Sequence, residues 1–137
     1  MNELTRQCLY LSKEEKVRLI DLLKDSIEEG AEQEGRFATL LKAATDVCGE
    51  GILSRSRDFK RSLGRKMIAY KMRKEGCTLY AIARRLVRDH ASIVHMVHSM
   101  EDILAYPHCF GLEMAYWYEF NNKIRDYDFH NRSAQES

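Results

Sequence analysis

The chain is poor in the residues that staple, span or interrupt a fold. Its 137 residues include one proline, Pro107, and four cysteines. Cys8, Cys48, Cys77 and Cys109 lie tens of residues apart with no Cys-x-x-Cys pair. That spacing excludes a dense disulfide scaffold and the usual zinc-ribbon pattern, so free thiols are expected. No apolar run approaches the roughly twenty residues of a membrane-spanning helix, so no membrane partner is expected. The opening MNELTRQCLY lacks the basic-then-apolar layout of a secretory signal, and a cytoplasmic location is expected. No stretch alternates apolar and polar residues as a half-buried strand would. The expected class is all-α, in one or two small domains.

Net charge is also small, at +1, but its distribution is uneven. Residues 1–53 carry 7 Lys/Arg against 11 Asp/Glu, residues 54–88 carry 12 against 2, and residues 89–137 carry 3 against 8. A strongly basic middle therefore sits between two acidic flanks. Basic charge confined to one segment is the footprint of a polyanion site, or else a solvated face that pairs with the flanks.

Helical periodicity runs through all three parts. LSKEEKVRLIDLLKDSIEEG begins with a capping box, Ser12 with Glu15, and carries Val17, Ile20, Leu23 and Ile27 on one face. A shorter helix follows, with Phe37, Leu40, Leu41, Ala44 and Val47 together and Gly49 and Gly51 at its end. The two predict an acidic helical hairpin over residues 1–53. Residues 54–106 begin with a basic loop, Arg55 to Arg61. A helix from about Ser62 to Glu75 comes next, with Gly76 as its stop and Thr78 as the cap of the short helix LYAIARRL. After VRD, Asp89 caps another helix, in which Ile93, Val97, Met100 and Leu104 form the buried stripe. Residues 107–137 predict an amphipathic aromatic helix, with Met114, Trp117 and Ile124 on one side and Phe120 or Asn121 between them, and then a frayed polar tail.

A long helix, a short helix, a tight turn and a further helix match the helix-turn-helix arrangement, in which the last helix reads the major groove from its first turns. The residues left off the buried stripe there are His90, Ala91, Ser92 and His95. They are short or polar, so a helix carrying them can approach base edges closely. Arg57, Lys60, Arg61, Arg65 and Lys66 precede them and suit phosphates or a minor groove.

The stretch SRDFKRSLGRKMIAYKMRKEGCTLYAIARRLVRDHASIVHMVHSM, Ser56 to Met100, resembles the C-terminal DNA-binding domain of the bacterial replication initiator DnaA. That domain joins a basic loop to a helix-turn-helix of the Trp-repressor-like kind, with Gly-Arg-Asp-His-Ser/Thr-Thr-Val at the recognition helix. Here Arg88, Asp89, His90, Ala91, Ser92, Ile93 and then His95 follow in the same order. The resemblance implies that Arg57 enters the minor groove and that Arg65 and Lys66 touch phosphates. It further implies that Asp89, His90 and Ala91 read bases, with Arg88, Ser92 and His95 beside them. Val87 stands where the family has glycine, which predicts a differently shaped turn. Ala91 stands where the family has a hydroxyl residue; it can touch a thymine methyl but cannot donate a hydrogen bond. The initiator's ATPase module is not matched, and no G-x-x-x-x-G-K-S/T loop occurs in the sequence. A stand-alone relative without ATP hydrolysis is expected, acting in replication or transcription control.

Two other readings compete. His90, His95, His98, His108 and Cys109 lie close in sequence, but zinc needs three or four convergent ligands and the last two fall beyond the helix. No nucleophile–base pattern appears, so neither enzyme, metal nor cofactor is expected. The other rival is a protein-interaction module, with Tyr116, Trp117, Tyr118 and Phe120 as anchors and the flanking helices mediating self-association or a protein partner.

Overall fold

A computed structural model describes residues 34–136, with side chains through residue 132. The expected helix that starts at the Ser12–Glu15 box lies outside the described residues. Residues from Arg36 onward form one compact unit. Among the described residues the secondary structure is entirely helical. Helix α1 covers residues 34–48. It is followed by α2 (Phe59–Lys74), α3 (Leu79–Leu86), α4 (His90–Ala105) and α5 (Gly111–Glu136).

Local chemistry accounts for most boundaries. Gly76 takes φ +97°, a left-handed conformation that glycine adopts without strain, and α2 stops just before it. The Thr78 hydroxyl accepts from the Ala81 N–H at 3.1 Å and caps α3. Asp89 accepts from the Ser92 N–H at 2.6 Å and caps α4. Hydrogen bonding from Ser92 holds the Asp89 carboxyl below its usual range. This cap is therefore in place at neutral pH and is lost only as acid protonates the carboxylate.

Two elements extend further than their sequence pattern indicates. Helix α2 starts at Phe59 rather than Ser62, which moves Lys60 and Arg61 from the loop onto its first turn. Asp58 ends the loop there, its carboxylate held by the Ser56 hydroxyl at 2.5 Å and by Arg61 at 3.2 Å. Helix α5 continues through the polar residues to Glu136 instead of ending near Phe129. No proline or glycine interrupts that stretch, so nothing in the backbone ends the helix earlier.

One core runs through all five helices. Leu40, Ala43 and Ala44 of α1 meet Leu63, Met67, Ile68 and Met72 of α2 in a single buried cluster. Ile82 and Leu86 of α3, Ile93, Met100 and Ile103 of α4, and Phe120 and Ile124 of α5 complete it. On α4 the fully buried residue of the last turn is Ile103, and the expected Leu104 is only partly buried. The charge boundaries near residues 53 and 106 thus mark changes of surface, while the core crosses both. Arg36 fastens α1 from outside, with ion pairs to Glu75 at 2.8 Å and Asp128 at 2.9 Å. Tyr127 donates to Asp46, and the Lys42 ammonium lies 4.6 Å from the centre of the same ring. Among the described residues, no helix is long and apolar enough to cross a membrane.

Candidate nucleic-acid interface

The basic loop between α1 and α2 carries more carbonyls than its own turns can satisfy, and buried carbonyls need donors. Arginines supply them. Arg65 is 5% exposed and turns its guanidinium under the loop. Its Nη1 donates to the Ile52 carbonyl at 3.0 Å and the Ser54 carbonyl at 3.1 Å. Its Nη2 donates to the Ser56 carbonyl at 2.6 Å. Arg88 reaches the same loop from the α3–α4 turn, donating through Nη2 to the Ser54 carbonyl at 2.5 Å. Its Nη1 holds the Leu86 and Val87 carbonyls at 3.2 and 3.0 Å. Arg61 donates from Nε to the Glu50 carbonyl at 2.7 Å. Gly51 makes room for that arm, since a Cβ there would stand 3.0 Å from Nε, and its φ of +86° disfavours any side chain.

This changes the expected roles of three residues. Arg65 is buried and its terminal nitrogens are spent on carbonyls, so it is a strut beneath the loop and not an exposed phosphate contact. Arg61 and Arg88 are struts as well, each reaching a loop carbonyl. A planar guanidinium spreads its five donors over three nitrogens and can hold carbonyls set apart from one another, whereas the three donors of a lysine ammonium sit on one atom.

Four other cations of the loop and the first turns of α2 are free among the described residues. Arg55, Arg57 and Lys60 are exposed and Lys66 is half-buried. None of these four has a hydrogen-bond or ion-pair partner among the described residues. Arg55 was not among the residues singled out by sequence. The only signal for it was its place in the basic loop, which does not separate a free arginine from a strut.

Two grooves flank the start of α4. One, of about 490 Å³, is lined by Arg55, Arg57, Arg65 and Arg88, with Asp89 and Ser92 on the α4 side. The other, of about 460 Å³, is lined by Ser62 and Lys66 of α2 and by Ala91, Ser92 and His95 of α4. Asp89, Ser92 and Met96 border both, so the first turns of α4 form the ridge between them. Ser62 and Met96 join the site through this geometry alone. His90, Ala91 and His95 are exposed and Ser92 is half-buried. Of the sequence-selected residues, Arg57, Arg65, Lys66, Arg88, Asp89, Ala91, Ser92 and His95 line these two adjoining grooves, whereas Lys60, Arg61 and His90 line neither.

The turn itself keeps the shape that glycine would take. Val87 has φ 55° and ψ 52°, the only left-handed non-glycine among the described residues. This lets the Arg88 N–H reach back to the Ala83 carbonyl at 3.0 Å and close α3. A β-branched residue is strained there. Val87 is 72% exposed, so its side chain recovers little by burial. Val87→Gly is expected to stabilise the fold by about 1 kcal/mol in urea unfolding, through removal of the left-handed strain. A variant no more stable than the parent would show that the valine is not strained.

The histidines do not converge. His98 sits 3.4 Å from Glu101 on the surface of α4, and His108 is exposed in the turn before α5. Among the described residues, no group of three or more His, Cys, Asp or Glu side chains is placed to hold a metal ion. Cys48 and Cys77 are buried free thiols. Burial pushes Cys48 up to about 11, which leaves it a thiol packed in the core.

Most of the aromatic stripe on α5 is packed. Phe120 is fully buried, Trp117 stacks edgewise on Tyr70 at 5.6 Å, and Tyr116 meets Phe59 at 6.1 Å. Tyr118 alone of the four is exposed. Comparison with protein-family models, curated proteins and solved structures finds no match.

Proposed function

We propose that the chain binds double-stranded DNA. Helices α3 and α4 act as a helix-turn-helix with α4 in the major groove, and the basic loop lies along the adjacent minor groove. The observation that carries this reading is the pair of grooves beside the first turns of α4, one holding the unpartnered Arg55 and Arg57 and the other the unpartnered Lys66. A helix in the major groove has a phosphate strand on either side, so cations belong in both flanking grooves. His90, Ala91, Ser92 and His95 supply the short or polar tip that such a helix needs. The likeness of Arg88-Asp89-His90 to the initiator's recognition motif supports the same reading, in replication or transcription control. The rival reading, a protein-interaction module, has less support because its aromatic anchors Trp117 and Phe120 are turned into the core.

The test is selection of retained sequences from a pool of random duplexes at two salt concentrations. A recovered motif with salt-sensitive affinity is the expected result. No retention at low salt would overturn the proposal. His90→Ala is expected to relax preference at one or two base pairs by about 1–3 kcal/mol, read as the affinity ratio between the selected site and its point variants. Arg57→Ala is expected to lower affinity and flatten any A·T preference beside the core motif.

A further inference from the structure

The geometry points to a preformed phosphate site in the arginine cleft between residues 55–57 and the start of α4, which in the DNA complex takes one backbone phosphodiester. The inference rests on the DNA-binding reading for its natural ligand, but not for the site itself.

Four guanidinium groups line this cleft, and the only carboxylate among its lining residues is Asp89. That carboxylate is already engaged at Ser92. Two of the arginines are fixed. Arg65 and Arg88 both donate to the Ser54 carbonyl, at 3.1 and 2.5 Å, so two like charges are drawn to one neutral oxygen. Their mutual repulsion is visible in Arg65, whose pKa is lowered first by burial and then by the charge of Arg88. The other two arginines, Arg55 and Arg57, are exposed and have no partner. The Arg65 Nε–H is buried and has no hydrogen-bond acceptor. Arg65 itself stays beneath the floor; the uncompensated positive charge above it, with Arg55 and Arg57 as free donors, is what an anion relieves.

A phosphate suits this cleft better than a carboxylate. It offers more acceptor oxygens, and guanidinium forks match its geometry. A cleft of about 490 Å³ also has room for the sugars on either side of a phosphodiester. Because a phosphate carries no base identity, the contact through Arg55 sets position and affinity, and any A·T preference is left to Arg57 where it enters the minor groove.

Two measurements test the site separately from the function. In the first, inorganic pyrophosphate is titrated into the whole protein at constant ionic strength, and arginine side-chain NMR signals are followed. Saturable shifts confined to the cleft arginines, weakened several-fold in Arg55→Ala/Arg57→Ala, are expected. Both residues are exposed and unpartnered, so the double variant should keep its melting temperature. Shifts no larger than those from added sodium chloride overturn the site. In the second, the salt dependence of binding to a short duplex is compared for the parent, Arg55→Ala and Lys123→Ala on α5. Arg55→Ala is expected to lower the slope of log K against log salt by about one, and Lys123→Ala to leave it alone. A parent that binds pyrophosphate but no duplex would overturn the DNA reading and leave a site for a free phosphate ligand. A parent that binds duplex with an unchanged slope in Arg55→Ala would overturn the backbone contact and leave the DNA reading standing.

Discussion

Arg65→Ala is expected to cost about 3 kcal/mol of folding stability and to loosen residues 52–56, although it removes only one of twelve cations from the basic segment. The side chain is 5% exposed and satisfies the carbonyls of Ile52, Ser54 and Ser56. Hydrogen bonds from a charged donor are each worth about 1.5–3 kcal/mol, and removing the donor strands its acceptors. The total stays below a simple sum because the Ser54 carbonyl keeps its Arg88 donor, because water can replace part of the loss at the Ser56 carbonyl, and because the desolvation cost of the guanidinium also disappears. Arg65→Lys should recover little, since one ammonium cannot span three carbonyls. Urea unfolding measures the first effect, and amide hydrogen exchange across residues 52–58 the second. Stability within about 0.5 kcal/mol of the parent would show that the clamp does not hold the loop.

The same substitution separates bracing from contact. If Arg65 braces, Arg65→Ala loses stability together with DNA affinity, because the loop carrying Arg55 and Arg57 is no longer held. Arg55→Ala, by contrast, should lose affinity while its urea midpoint stays where it was. Equal stability losses in the two variants would contradict the division between struts and free cations.

What could be read from the sequence was local. Thr78 and Asp89 as caps, Gly76 as a stop and the apolar stripe of α4 each depend on a few neighbouring residues, and each stands where expected apart from the exchange of Leu104 for Ile103. The all-helical class likewise followed from period and from the absence of alternation. The division of labour among arginines was not legible. Arg57 and Arg61 are equivalent in any composition or charge count. They part only because the loop folds back so that the Glu50 carbonyl comes within 2.7 Å of Arg61. Arg65 and Lys66 are adjacent and equally basic, yet one faces inward under the loop and the other lines a groove beside α4. Helical phase decides this: Arg65 falls on the buried face with Leu63, Met67 and Ile68, and Lys66 lies about 100° further round, but an arginine beside an apolar stripe reads from sequence as solvent-facing. Val87 was misleading in the opposite sense. A valine in place of glycine predicts a different turn, but the backbone keeps the left-handed shape because Arg88 N–H must reach Ala83 to close α3.

DNA affinity is expected to fall about a hundredfold between 50 and 200 mM monovalent salt. The argument starts from which cations are free. Of the basic side chains on the loop and the first turns of α2, Arg61 and Arg65 are committed to carbonyls, while Arg55, Arg57, Lys60 and Lys66 have no partner. Each phosphate neutralised on a duplex releases close to one condensed counterion, so four contacts give a slope of about −3.6 in log K against log salt. Over a fourfold rise in salt, that slope corresponds to about two powers of ten. Counting all the arginines and lysines of residues 54–88 would instead predict a far steeper loss, since that segment holds 12 of them. The slope is therefore a direct count of how many cations face the duplex. Fluorescence anisotropy with a short labelled duplex at four or five salt concentrations measures it. A slope near zero would leave no place for backbone contacts and would sink the DNA-binding reading. A slope of about −6, as if Arg61, Arg65 and Arg88 joined the four free cations, would show that the strut arginines let go of their carbonyls on binding, and that the loop refolds around the DNA.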